Sequence, residues 1–307
     1  MSEEEFEDLT FFEPLERKQT IEAPLRKSPS YWKDGWTRLK KSRTAMGGLI
    51  FLTLLLFMAI IGPFLSPYPY YETHLPLKNT PPCKQFWFGT DELGRDMFTR
   101  VWWGARISLF VGITASLIDL CLGVFYGAVA AMSKGRRQEW MMRAADILNS
   151  IPQLLVVILL MVIIGSGLMT IVIALTMIGW IGMARVVRAE ILRLSSLDFI
   201  KSAEAIGASR TRILFRHLIP NALGPIIITV TFTIPTAIFS EAFLSFLGLG
   251  VQAPIASWGT MASDGLSALR YYPWRLFFPA GFISVTMLSF NLLGDGLRDA
   301  FDPRLHL

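Results

Sequence analysis

The most informative pattern in this chain is a series of long apolar stretches separated by shorter polar segments. Six such runs are present, at residues 46–65, 106–131, 141–164, 168–184, 221–245 and 276–296. A helix needs about 20 mostly apolar residues to cross the hydrocarbon core of a bilayer. The pattern therefore predicts an all-α membrane protein with six transmembrane helices, and an even number of crossings leaves both termini on one side.

The boundaries of these runs divide the chain into parts. We predict an N-terminal tail at 1–44, a first transmembrane helix at 45–66, a loop on the opposite side at 67–105, a five-helix core at 106–296 and a C-terminal tail at 297–307. The core includes a long connection at 185–220. The third and fourth runs can also form one hairpin that does not fully cross the membrane.

Composition and charge support this assignment. The 307 residues are 52% hydrophobic and 17% charged, and the mean hydropathy is +0.46, a combination that is uncommon in soluble domains because their surface must be wetted. The chain has a net charge of +5, and its basic residues cluster at the membrane end of the N-terminal tail and in the connections around Arg136 and Arg210. Positive loops face the cytoplasm, so both tails are predicted to be cytoplasmic if the third and fourth runs both span. The placement of these charges also weighs against a nucleic-acid partner.

Motifs of the common enzyme classes are absent from the sequence. There is no G-x-x-x-x-G-K-[ST] phosphate loop, and the dipeptide Gly-Lys does not occur, so the chain is not expected to hydrolyse ATP by itself. The histidines His74, His217 and His306 are scattered. We therefore expect no catalytic residue, no metal site and no cofactor bound by this chain. A membrane enzyme is the least favoured class.

The connection contains a helix–glycine–helix pattern. A short helix from Ala203 can end at Gly207, because glycine adopts the left-handed conformation of a helix C-terminus without a Cβ clash. Ser209 is a good N-cap for a second, amphipathic helix, and Pro220 marks its exit into the fifth apolar run. The segment suits docking into a groove on a soluble partner or binding to the lipid surface, and the physical pattern alone favours neither.

The same connection resembles the E-A-A-x-x-x-G-x9-I-x-L-P signature of permease subunits in ATP-binding-cassette (ABC) importers. The matching positions are Ala203, Gly207, Ile219, at the family's leucine position, and Pro220. Further segments resemble the subfamily that imports dipeptides, oligopeptides and nickel, in particular its second, C-type permease. They are F-G-T-D-E-L-G-R-D at 88–96 with G-A-R-I-S-L at 104–109, S-F-L-G-L-G-V at 245–251 with S-W-G at 257–259, and N-L-L-G-D-G-L-R-D-A-F-D-P at 291–303.

The resemblance implies a type I ABC importer permease fold in the cytoplasmic (inner) membrane, in contact with lipid. The implied partners are a second permease, two ATP-binding subunits, which would hold ATP and Mg, and an extracytoplasmic peptide-binding protein. The implied ATPase-coupling residues are Lys201, Ser202, Ala203, Glu204, Gly207, Ala208, Arg212, His217 and Pro220. The signature's glutamate and first alanine are replaced here by Lys201 and Ser202. Either Glu204 supplies that carboxylate one turn along, or the partner surface suits a cation.

Hydroxyl groups in the fifth run suggest a route for a polar substrate. They belong to Thr229, Thr233, Thr236 and Ser240. This spacing places the four residues in one narrow stripe of a helix, so the set is predicted to line a translocation pathway. Each hydroxyl could instead bond the carbonyl four residues back, and Pro235 frees a carbonyl nearby.

Two acidic residues and one glycine pair in the apolar runs also need an explanation. Burying Asp119 as an anion costs much free energy, so we interpret its carboxyl group as satisfied by a packing hydrogen bond. The alternative function class is a secondary transporter driven by an ion gradient. In such a protein Asp119 would be the coupling carboxylate. Glu241 is more readily explained as bracing the adjacent loop than as contacting substrate. Gly123 and Gly127 have a small-xxx-small spacing that predicts close helix packing.

Overall fold

The computed structural model describes residues 31–301, which are almost entirely helical. The helices are α1 Tyr31–Leu39, α2 Arg43–Ile61, α3 Met97–Met132, α4 Arg136–Asn149, α5 Gln153–Ile164, α6 Leu168–Ser195, α7 Asp198–Ala205, α8 Arg210–Ile213, α9 Ile219–Phe246, α10 Trp258–Leu266 and α11 Trp274–Phe301. Most of the predicted N-terminal tail and the end of the predicted C-terminal tail lie outside the described residues.

Within residues 31–301, five helical stretches are long and apolar enough to cross a membrane. They are Arg43–Phe64, Met97–Met132, Leu168–Ser195, Arg210–Phe246 and Trp274–Phe301. A sixth candidate is the bent pair formed by α4 and α5. Helix is the expected solution, because a single helix satisfies its own backbone hydrogen bonds where no water is present.

The third apolar run, predicted as one helix over 141–164, is broken in the structure. α4 ends at Asn149, α5 begins at Gln153, and their axes differ by 75°. Pro152 lies at the break; it has no N–H to donate and disfavours the helical conformation of Ile151 before it. The prediction of one uninterrupted helix was therefore wrong, although the pair together remains long enough to span.

The second amphipathic helix of the connection is not a separate element. α8, a π-helical turn at Leu214–Leu218 and α9 follow one another without a break. Pro220 lies in the first turn of α9, as expected for the start of the fifth apolar run, but no break separates α9 from the preceding turns. Proline cannot donate the next α-helical hydrogen bond, and the wider π turn just before it absorbs that irregularity. As a result, residues 210–246 form a single rod.

The most extensive helix pair in the described chain is α3 with α6. A Cβ placed on Gly123 would come within 2.5 Å of the Met183 Cβ, and one on Gly127 would come within 2.5 Å of the Ala184 carbonyl oxygen. The two backbones approach so closely that only glycine fits. The predicted small-xxx-small interface is confirmed.

Gly127→Ala should therefore destabilise the protein, because the new methyl group meets backbone that cannot rotate away. Overpacking of this kind costs about 1–3 kcal/mol, and we expect a lower thermal aggregation temperature in detergent. Gly182→Ala is the matched control on α6, since no atom lies within 4 Å of a Cβ at that position. Equal melting of the two variants would contradict the close-packing argument.

Candidate functional site

Residues 198–220, which we call the connecting segment, adopt the predicted helix–glycine–helix form at their start. α7 ends at Ala205, and Gly207 has a φ of +86°. Its N–H donates to the Glu204 carbonyl at 3.0 Å, and the Ala208 N–H donates to the Ala203 carbonyl at 3.0 Å, which satisfies the last carbonyls of the helix. The Ser209 hydroxyl then accepts the Arg212 N–H at 3.3 Å, so the expected N-cap is confirmed.

One face of the connecting segment is buried against α6. Ile200, Ile213 and Leu218 are each 2% exposed or less, and they pack in one apolar cluster with the α6 residues Met183, Val187, Ile191 and Leu194. Burial of this size anchors the segment to the helix bundle. The segment therefore moves with α6 and α9 and does not hang as a free loop.

The opposite face is open and carries most of the residues implied by the signature. Among the implied residues, the exposed ones are Lys201, Ser202, Glu204, Gly207, Arg212 and Pro220; Ala203, Ala208 and His217 are half-buried. Ile206 also belongs to the open face and is 87% exposed. A free face with a protruding isoleucine and mixed charges suits a protein partner better than a uniformly basic, lipid-binding face would.

The local contacts of Lys201 do not explain why a lysine stands where the signature has a glutamate. Its Nζ lies 3.2 Å from the Asp198 Oδ1, and both side chains are mostly exposed, so the pair contributes little. Glu204 is exposed on the same helix, one turn further on. The Lys201 cation and the Glu204 carboxylate are thus both available to a partner. Both explanations for the departure from the signature stay open.

Three of the four predicted pathway hydroxyls face one cavity. Thr229, Thr233 and Thr236 line a space of about 710 Å³ bounded by α6, α9 and α11. Glu190, Arg193 and Arg298 lie at the same cavity. Glu190 and Arg193 belong to no sequence motif, whereas Arg298 lies in the 291–303 motif. Only the packing of three distant helices shows that all three line the cavity. The arrangement provides a wide, partly polar surface on α9.

Ser240 does not join that surface. It lines a separate space of about 170 Å³ together with Gln153 and Leu154 of α5. The threonines also bond backward, from Thr229 to the Pro225 carbonyl at 2.8 Å and from Thr236 to the Phe232 carbonyl at 2.9 Å. The threonine hydroxyls therefore donate within α9 while their side chains line the cavity. That this cavity belongs to a translocation pathway stays a prediction.

Asp119 is 7% exposed and lies against Gly179 of α6. The interpretation as a satisfied packing hydrogen bond fails for its Oδ1, which has no hydrogen-bond partner in the described part of the chain. No charged partner from residues 31–301 pairs with this carboxyl group either. It is a buried polar group at the α3–α6 contact, on a different helix from the threonine cavity.

Glu241 braces the loop that follows α9, as expected. It is fully buried and accepts hydrogen bonds from the Ser108 hydroxyl at 3.1 Å and the Ser245 hydroxyl at 2.7 Å. The Ser108 oxygen in turn accepts the backbone N–H of Trp258 at 3.2 Å. One carboxyl group thus ties α3 and α9 to the start of α10. Ser108 belongs to the 104–109 motif, but its role appears only when the helices meet.

The stretches 65–96 and 247–273, which we call the loop end, are held by a buried and a partly exposed ion pair. Asp91 accepts the Arg95 Nε at 2.6 Å, and Glu92 accepts an Arg275 Nη at 3.0 Å across to α11. Partial burial of the Asp264 carboxyl group, together with the nearby Glu92, raises the pKa of Asp264. This network assigns a structural role to the 88–96 motif.

Comparison with known proteins gives two family matches. Residues 123–307 match the family described as binding-protein-dependent transport system inner membrane component. Residues 30–82 match the N-terminal TM domain of oligopeptide transport permease C. Together they cover the connecting segment, the threonine cavity and the first spanning helix.

Individual relatives are similar over almost their whole length. The oligopeptide transport system permease protein OppC of Bacillus subtilis is 56% identical over 91% of this chain and 92% of its own. The dipeptide transport system permease protein DppC of the same organism is 54% identical over 94% and 91%. OppC of Escherichia coli K12 is 42% identical over 90% and 92%.

A solved structure shares the fold. The MetNI methionine ABC transporter, described in inward-facing conformations, superposes with a TM-score of 0.55 at 18% identity, over 64% of this chain and 94% of that chain. The type I importer permease fold expected from the sequence is confirmed.

Cysteines introduced at Thr229, Thr233 and Thr236 should react with a water-soluble thiol reagent, because these positions line an open cavity. Thr231→Cys should stay unlabelled, since Thr231 is 7% exposed. Cys83 and Cys121 are exposed and must first be replaced by serine and alanine. The measurement is the mass shift after timed labelling in membranes. Labelling of position 231 at the rate of the other three would contradict the assignment of the cavity face.

Proposed function

Because the chain belongs to the family of binding-protein-dependent transport system inner membrane components, we propose that it is one of two permease subunits of an ATP-driven peptide importer. Its place is the inner membrane, where it pairs with a second permease to enclose a route for dipeptides or oligopeptides. An extracytoplasmic peptide-binding protein delivers the cargo, and two ATP-binding subunits supply the energy. ATP and Mg are held by those subunits.

The observation that carries this proposal is the two-faced connecting segment. Its inner face, with Ile200, Ile213 and Leu218, is fixed to α6. Its outer face presents Lys201, Glu204 and Arg212 to a partner. A surface held rigidly on one side and open on the other can receive a push from an ATPase and pass it to the membrane helices.

Transmission from this surface to the pathway follows from the continuity of the helix. The rod at residues 210–246 starts in the connecting segment and carries Thr229, Thr233 and Thr236 further along. A tilt imposed at Arg212 must therefore move the threonine cavity relative to α11. This is alternating access by rigid-body motion, with no chemical step on this chain.

Reconstitution in proteoliposomes tests the energy source. Peptide uptake should require ATP on the side of the vesicle membrane where the ATPase subunits lie. Uptake should be lost when these subunits are replaced by variants that cannot hydrolyse ATP. The dependence of peptide uptake on an ion gradient should be the same in Asp119→Asn as in the parent importer. Uptake that survives dead ATPases and collapses with the gradient would instead establish a secondary transporter that uses Asp119.

Gly207→Val should uncouple the importer while leaving the chain in the membrane. A Cβ at this position meets no atom within 4 Å, so the whole effect comes from the left-handed backbone. That conformation costs a β-branched residue about 1–2 kcal/mol, which lowers the population of the docking geometry by about 5–30-fold. The measurement is ATPase co-purification together with the ratio of hydrolysis to uptake.

Gly207→Asn is the matched control, since asparagine tolerates the left-handed region. It should retain most coupling. Full transport by Gly207→Val would show that the joint does not need this conformation. A variant that keeps the ATPase and normal coupling but loses lipid contact would favour the surface-binding alternative.

A further inference from the structure

A second cavity lies at the loop end, separate from the threonine cavity. It has a volume of about 260 Å³, and its polar lining includes Arg95, Arg100, Gln252, Thr260, Ser263 and Asp264. This volume is just below the range of roughly 300–1,000 Å³ for small-molecule sites. The space therefore suits one end of a ligand rather than a whole oligopeptide.

The two arginines that line this cavity are buried. Arg95 is 8% exposed and Arg100 is 4% exposed. Buried guanidinium groups need acceptors, because each offers five N–H donors and no alternative charge state. The protein supplies such acceptors unequally to the two side chains.

The Arg95 side chain donates a short hydrogen bond to a carboxylate, whereas the Arg100 side chain donates none to a carboxylate. The Arg95 Nε donates to Asp91 at 2.6 Å. The Arg100 Nε lies 3.4 Å from the same carboxylate, but it is buried without a hydrogen-bond partner in the described residues. An Nη of Arg100 reaches only the Tyr70 carbonyl, at 3.4 Å. Most of the donors of Arg100 are thus left unused beside an open polar space.

Nearby acidic groups do not fill this deficit. Asp91 is shared with Arg95, and Glu92 is paired with Arg275. Asp96 accepts the Ser66 hydroxyl at 2.7 Å and caps α3. The remaining acid, Asp264, lines the cavity together with the arginines, but no hydrogen bond joins its carboxyl group to Arg100.

We propose that the loop-end cavity binds the C-terminal carboxylate of the transported peptide, with Arg100 as the principal contact and Arg95 beside it. Paired guanidinium groups match the geometry of a carboxylate, and the free peptide terminus is a carboxylate in every peptide cargo. This proposal rests on the proposed function. It adds a transient binding site for cargo between the binding protein and the pathway on α9.

The test compares one peptide with a free C-terminus and the same peptide with a C-terminal amide, in the complete importer in proteoliposomes. The binding protein is loaded to saturation with each peptide, so that its own preference is removed. Arg100→Gln should lower uptake of the free peptide by about tenfold or more, the effect of losing a hydrogen bond to a charged group. Uptake of the amide should stay within about twofold of that of the parent.

Two further variants keep this comparison interpretable. Arg100→Lys retains the charge and should restore part of the preference for the free peptide, which shows that the cavity is intact. Arg270→Gln is the matched control, since Arg270 is an exposed cation of the loop end that does not line the cavity. It should change neither rate. Co-purification of the partner subunits verifies assembly of each variant.

Several results would overturn the proposal. Equal loss for both peptides in Arg100→Gln would make Arg100 a structural residue only. Loss of association with the binding protein, even when that protein is empty, would assign the carboxylate to the binding protein instead of the cargo. Absence of ATP-dependent uptake of either peptide by the parent importer is a different failure: it would refute peptide import itself, and this site with it.

Discussion

The close contact of α3 with α6 is the constraint on which the other features of this chain depend. Gly123 and Gly127 bring the two backbones together, and in lipid such packing replaces the hydrophobic drive that a soluble core would have. α3 begins at the loop end, and α6 ends at the connecting segment. The two ends of the molecule are therefore fixed to one rigid pair, and a change at either end is felt along its length.

α9 is placed by different means at its two ends. At the loop end, buried Glu241 ties it to α3 through Ser108, a hydrogen bond that is strong because no water competes for it. At the other end, Leu218 and Ile226 pack in the apolar cluster that joins the connecting segment to α6. Between the two ends, Thr229 and Thr233 are half-buried and Thr236 is exposed. α9 is therefore fixed at both ends, so a displacement of the connecting segment is passed along its length.

Local chemistry explains which features were predictable from the sequence. Gly207 and Ser209 act within a few residues of themselves, so the end of α7 and the start of α8 could be predicted. The family resemblance supplied the fold and the identity of the connecting segment. The break at Pro152 was missed because the apolar residues on both sides of it were counted as one run, and hydropathy does not register a lost N–H donor. Ser240 lines a different cavity from the threonines, beside α5, and no periodicity within α9 can reveal that division.

The glycines show why such limits are physical. Gly207 is required by its backbone: its φ is +86°, and the space around a Cβ is empty. Gly127 is required by its neighbours: it is helical, and a Cβ would meet the Ala184 carbonyl. The printed sequence has the same letter for both. The backbone requirement is local, so it can be assigned from the sequence. The packing requirement can be assigned only when the neighbouring helix is in place. The same division separates Arg95, whose acceptor is four residues away, from Arg100, whose unused donors become visible only when the distant loop after α9 closes the cavity around them.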